Sequence, residues 1–143
     1  MNYWLGVVSK EHVMRGVKEQ IAQVCHGKKG PLSRLRAGDG FIYYSPKISF
    51  QGNDPCKSFT AIGTVKTGTV YQVEITPDFH PYRLDINYFR SVDVPVSELM
   101  DQLELTGHRS WGMLLRRGLI PLSKHDFLTI AQAMKADKLP SLL

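Results

Sequence analysis

The sequence predicts an α+β protein, a small β-barrel flanked by helices near both ends of the chain. Three observations carry that expectation. Short aromatic and β-branched runs, separated by turn residues, recur between Phe41 and Val94. Apolar residues at helical spacing follow Ser9 near one end and Ser123 near the other. The 143 residues, 43% hydrophobic and 22% charged, suit one ordinary globular core. Residues 1–143 are therefore read as a single domain, with no repeat or linker.

Taken in order, residues 2–9 are rich in aromatic and branched side chains and carry no charge, as in a strand buried on both faces. Ser9 can cap a helix, with Glu11 in the first turn where the helix dipole favours an anion. Val13, Val17, Ile21 and Val24 would form its apolar face, and Gly16 weakens its middle. The helix is either continuous and imperfect or short and followed by a turn. Pro31–Leu35 can make one helical turn, and Phe41–Ser45 is a strand stopped by Pro46. Ser49–Lys57 is a polar loop. Strands follow at Phe59–Val65 and Val70–Ile75, with one or two more within Arg83–Val94. Glu98–Leu103 reads as a short helix and Gly107–Gly118 as a loop or broken helix. Ser123 and Asp126 resemble a capping box, opening a helix whose apolar face is Phe127, Ile130, Ala131 and Met134.

A net charge of +5 favours an anionic partner without implying wholesale charge neutralisation. No apolar run approaches the roughly 20 residues that span a bilayer, and Met1–Ser9 lacks the basic lead of a signal peptide, so a cytoplasmic location is expected. The two cysteines, Cys25 and Cys56, form no Cys-x-x-Cys pair, and the five histidines show no ligand spacing. No metal, cofactor or catalytic residue is expected, because phosphate-loop, dinucleotide, nucleophile-elbow and zinc-protease patterns are all missing from the sequence.

Two stretches lack acids and carry cations. Between Gln20 and Gly38 these are His26, Lys28, Lys29, Arg34 and Arg36; between Glu104 and Asp126 they include Arg109, Arg116 and Arg117. Such a surface attracts phosphates. Trp111, two residues after Arg109, either stacks a base or plugs the end of the barrel. Tyr3 and Trp4 point to opposite faces of their strand, as do Tyr43 and Tyr44. Ser45 and Pro46 can line the mouth of a pocket, and the Gln23 amide can pair with a base edge or cap a helix.

The series Asn2-Tyr3-Trp4-Leu5, Gln23-Val24-Cys25-His26-Gly27-Lys28, Leu35-Arg36-Ala37-Gly38-Asp39 and Tyr43-Tyr44-Ser45-Pro46 resembles the EVE domain. Arg109-Ser110-Trp111-Gly112 and Leu122-Ser123-Lys124-His125-Asp126-Phe127 resemble its closing segments. The resemblance implies a pseudouridine-synthase-and-archaeosine-transglycosylase-like (PUA-like) fold, related to the methyladenine-binding YTH domains. It also implies a non-enzymatic reader of modified bases in DNA or RNA. Carried onto this chain, the base pocket would draw on Trp4, Gln23, Tyr43, Tyr44, Ser45, Pro46 and Trp111. With two tryptophans, and Ser45-Pro46 after Tyr44 where YTH domains have an aromatic, this sequence departs from the methyladenine cage. The expected partner is a nucleic acid with a modified or unpaired base. An RNA- or nucleotide-modifying enzyme and a peptide- or metabolite-binding module are the alternatives.

Overall fold

The computed structural model describes residues 1–137; residues 138–143 of the expected domain lie outside the described residues. The chain opens with β1 (Tyr3–Val7), α1 (Lys10–Glu19) and β2 (Ile21–Ala22), then a 3-10 turn (Cys25–Gly27) and α2 (Lys29–Leu32). The strands β3 (Gly40–Lys47), β4 (Pro55–Val65), β5 (Tyr71–Gln72), β6 (Tyr82–Tyr88) and β7 (Val94–Pro95) follow. A second 3-10 turn (Val96–Glu98) leads to α3 (Glu104–Gly107), α4 (Trp111–Leu115), β8 (Leu119–Leu122) and α5 (Lys124–Ala133). The strands form one mixed, curled sheet in the order β2-β6-β4-β3-β1-β8, with β5 added to β6 and β7 to β4. β1 runs parallel to β3, pairing Tyr3 with Gly40 and Val7 with Tyr44, and antiparallel to β8. The architecture is an α+β half-barrel with helices packed on it.

Both faces of the sheet are buried along β1 and the first part of β3, which is why Tyr3–Val7 and residues 40–44 are apolar without interruption. Tyr3, Leu5, Ile42 and Tyr44 pack with Phe59, Phe127, Ile130 and Met134, so α5 covers that face. Trp4, Phe41 and Tyr43 point the other way, onto Val13, Leu32, Leu84 and Ile86. Among the described residues no helix is long and apolar enough to cross a membrane.

Several elements differ from expectation for local reasons. The first helix is the shorter of the two expected forms: it stops at Glu19, and Gln20 takes a left-handed conformation at its cap. Ile21 therefore joins a strand, and Val17 is left 37% exposed. Gly16 is tolerated because the chain returns so closely that a Cβ there would lie 2.9 Å from the Ile21 carbonyl oxygen. β3 continues through the exposed Pro46, where the register with β4 shifts and no ladder bond is needed. No helix forms at Glu98–Leu103: the second 3-10 turn ends at Glu98, residues 99–102 are a turn, and the next helix starts at Glu104. Ser123 does cap α5, accepting from Asp126 N. The Asp126 carboxylate instead accepts from Glu104 N at 2.8 Å and Leu105 N at 2.9 Å, so one side chain also caps α3.

Candidate functional site

A cleft of about 760 Å³, within the usual range for small-ligand sites, opens where β1 ends. One wall is Val7, Val8, Ser9, His12 and Arg15, from the end of β1 and the start of α1. The segment Gln23–Lys28 with Pro31 forms a second, and Leu115–Gly118 a third; Phe50 and Phe79 stand at it from two further loops. Two contacts tie the walls together: Val7 N donates to Gly118 O at 2.9 Å, and the Cys25 thiol to Arg117 O at 3.2 Å. Val8 N donates to Tyr44 O at 3.2 Å, which fixes the first wall to β3.

The second wall is a strained turn. Cys25, His26 and Gly27 have φ of 52°, 59° and 80°, left-handed values that cost a non-glycine residue roughly 1–2 kcal/mol each. Gly27 is required twice over, because a Cβ there would lie 2.4 Å from Pro81 Cβ. The turn is held from below by Tyr43, whose hydroxyl accepts from Gln23 N at 3.0 Å and donates to Gln23 O at 3.2 Å. Non-glycine strain of this kind persists where surrounding contacts over-determine it, and often at functional sites.

Arg15, Lys28, Arg116 and Arg117 line the cleft with His12 and His26, and among the described residues no carboxylate does. Arg15 has Glu11 at 3.8 Å, whereas Lys28, Arg116 and Arg117 make no ion pair among the described residues. Burial, with Arg15 and Arg83 adding to it, holds His12 below its ordinary pKa against the opposing pull of a Gln23 backbone hydrogen bond. The imidazole is then neutral at pH 7, with one donor and one acceptor nitrogen. Gln23 Oε1 accepts from Arg83 Nε at 3.1 Å, and Arg83 also pairs with Glu19, which fixes the amide and leaves its NH₂ end as the donor. Burial raises the Cys25 thiol pKa, and with its proton given to Arg117 O it is a poor nucleophile. The site therefore offers an apolar slot, polar groups for a ligand edge, and a cationic rim.

Of the residues proposed from sequence, Gln23, His26, Lys28, Arg116 and Arg117 line this cleft. The aromatic candidates lie elsewhere. Trp4 is in the core, its Nε1 donating to Asp39 Oδ2 at 2.9 Å. Tyr43 is fully buried beneath the turn, and Tyr44 is buried on the other face, its phenol pushed up to about 12 by desolvation. Trp111 packs edge-on to Tyr44, with centroids 6.5 Å apart, against the core covered by α5. The Ser45 hydroxyl bonds to Thr60, and Pro46 sits on the outside of β3. Lys29 lies over Tyr82 at 5.8 Å and Arg34 over Trp4 at 4.7 Å; Arg36 and Arg109 are exposed outside the cleft. His12, Arg15 and Phe79 carry no local signal for a site. The one available hint is Phe50, a phenylalanine within the polar stretch of residues 49–54.

A curled mixed sheet with helices packed on it and a basic cleft at the end of its first strand defines a PUA-like α+β protein. The family model described as the EVE domain matches residues 2–133, and the chain belongs to that family. It is 47% identical over 134 residues to the UPF0310 protein YdcG of Bacillus subtilis, covering 93% of this chain and 92% of that one. A UPF0310 protein of Streptococcus mutans is 44% identical over 140 residues, covering 96% and 99%. Among solved structures, a protein from Agrobacterium tumefaciens superposes with a TM-score of 0.60 at 13% identity, covering 98% of this chain and 97% of that one. Human THYN1 in complex with 5-methylcytosine-containing DNA superposes with a TM-score of 0.51 at 13% identity, covering 98% and 100%.

Proposed function

We propose that this protein is a non-enzymatic, cytoplasmic reader of a modified or unpaired nucleobase in DNA or RNA, acting as a single EVE domain. The observation that carries the reading is the cleft without a carboxylate, in which four cationic side chains surround an apolar slot. The base enters between Val7, Val8, Val24 and Leu115. The Gln23 NH₂ group and the neutral His12 ring meet its polar edge, and Lys28, Arg116 and Arg117 take the flanking phosphates. A modified, mismatched or already single-stranded base is favoured, since unstacking it costs least. The THYN1 complex with methylcytosine-containing DNA supports this assignment by likeness of fold.

Fluorescence anisotropy of labelled oligonucleotides, with and without modified bases and at two salt concentrations, tests it. The wild type is expected to bind one modified base tightest and to weaken with salt. Each of Lys28→Ala and Arg117→Ala should lower the slope of log affinity against log salt by about 1. Binding that ignores salt and both substitutions would point instead to a peptide or metabolite.

A further inference from the structure

Among the large apolar side chains that stand exposed in the described residues, Phe50 and Phe79 are the two that line the cleft, at 67% and 39% exposure. Resting on the reading above, we propose that these rings are wedges. They enter a base-paired duplex and fill the gap left when the target nucleotide is drawn into the cleft.

Both rings are carried out from the sheet on braced segments. Phe50 lies in the loop between β3 and β4, closed by Ile48 N to Asp54 O at 3.0 Å and anchored to α1 by Glu11 N to Ile48 O at 2.9 Å. Phe79 follows the Pro77-Asp78 tip of a hairpin that extends β5 and β6. Its backbone bonds to Thr76 in both directions, at 3.1 and 3.3 Å, and Ile75 N donates to its carbonyl at 3.0 Å. The rings abut consecutive residues of the strained turn. The edge of His26 meets Phe50 with centroids 6.2 Å apart, and Phe79 lies 3.6 Å from where a Gly27 Cβ would be.

Phenylalanine has no polar atom with which to read a base edge; its exposed ring can only stack or insert. The charges around the pair select the partner. Lys47 sits 5.6 Å from the Phe50 ring centroid, and Lys28, Arg116 and Arg117 share the cleft with both rings, so cations stand beside Phe50 and across the cleft from Phe79, whose own hairpin carries Glu74 and Asp78. An apolar wedge flanked by cations matches a base step flanked by phosphates, and inserted phenylalanines that partly unstack a duplex are an established device of nucleic-acid binding. A single strand has no gap to fill, so the wedges matter for duplexes alone.

The test compares wild type with Phe50→Ala, Phe79→Ala and the double variant on three probes. These are a duplex with one mismatched or modified base beside 2-aminopurine, the corresponding single strand, and the free nucleoside. Duplexes are made in DNA and in RNA form. Phe79→Leu keeps the hairpin packed and preserves apolar bulk, so it should retain most duplex binding. The double variant is expected to lose about tenfold or more on the duplex, the equivalent of about one stacked base, and to lose the rise in 2-aminopurine fluorescence. Its affinity for single strand and nucleoside should change less than about twofold. Loss in either backbone form supports the proposal and identifies the natural one. Equal loss on all three probes would make the rings pocket walls and overturn it, as would unchanged duplex binding. A wild type that binds no oligonucleotide would overturn the underlying reader assignment itself.

Discussion

The aromatic side chains of this protein divide between a packed interior and the rim of the cleft, and the two groups differ in what is left free. Inside, polar tips are tied to the fold at three rings: Trp4 Nε1 bonds to Asp39, the Tyr43 hydroxyl to Gln23 and the Tyr88 hydroxyl to Ile21 O. Their rings meet one another edge-on, as Phe41 meets Tyr43 at 4.8 Å and Tyr44 meets Phe59 at 5.5 Å. At the rim, Phe50 and Phe79 have no polar tip and keep much of their surface in water. The contrast teaches that Trp4, Tyr43 and Tyr44, the obvious stacking candidates of β1 and β3, are here committed to structure. The exposed aromatic faces at the cleft belong to phenylalanines in loops.

Substitutions can break this division or sharpen it. The largest effect expected is from Phe59→Ala, which empties a fully buried site and should cost about 3–5 kcal/mol in urea unfolding. Phe50→Ala should stay within about 0.5 kcal/mol of wild type. Similar losses from the two would erase the distinction. Next comes Tyr43→Phe, which keeps the ring but strips Gln23 N and O of their partner. A loss of about 1–3 kcal/mol is expected, together with weaker ligand binding because the cleft wall rests on those bonds. A variant that lost stability but bound normally would separate the interior from the site.

The smallest effect is a pH dependence. The folded-state pKa of His12 lies below its ordinary value of 6.5, so the unfolded chain takes up this proton first. Its contribution to stability is therefore complete above pH 6.5 and declines as pH falls through the depressed folded value. Urea midpoints measured between pH 7.5 and 5.5 should fall more in wild type than in His12→Asn. Equal slopes would mean that the ring titrates freely.

Much of the fold was legible because it rests on local chemistry. The Ser9 and Ser123 caps, the apolar face of the last helix and the alternation from Phe59 to Val65 each need only neighbouring residues to be read. β8 was not legible: Leu119-Ile120-Pro121-Leu122 is short, and its proline disguises a strand that is extended because β1 lies beside it. At the site, the two stretches without acids led to Lys28, His26, Arg116 and Arg117. Lack of acidic neighbours could not show that Arg34 would lie on Trp4, or Lys29 on Tyr82. Nor could alternation choose among Trp4, Tyr43 and Tyr44. Period two sorts residues onto two faces, and here both faces are interior.

The position of β1 has a consequence for how the molecule is made. One edge of β1 pairs with β3, formed early in the chain, but the other waits for β8 at Leu119–Leu122. At about 5–20 residues per second, a growing chain holds that apolar edge open for on the order of ten seconds. During that interval an exposed hydrophobic strand edge is a template for a neighbouring chain on the same messenger. A ribosome that stalls before Leu119 would release a fragment with this edge permanently uncovered, and such fragments should be found with chaperones or in aggregates.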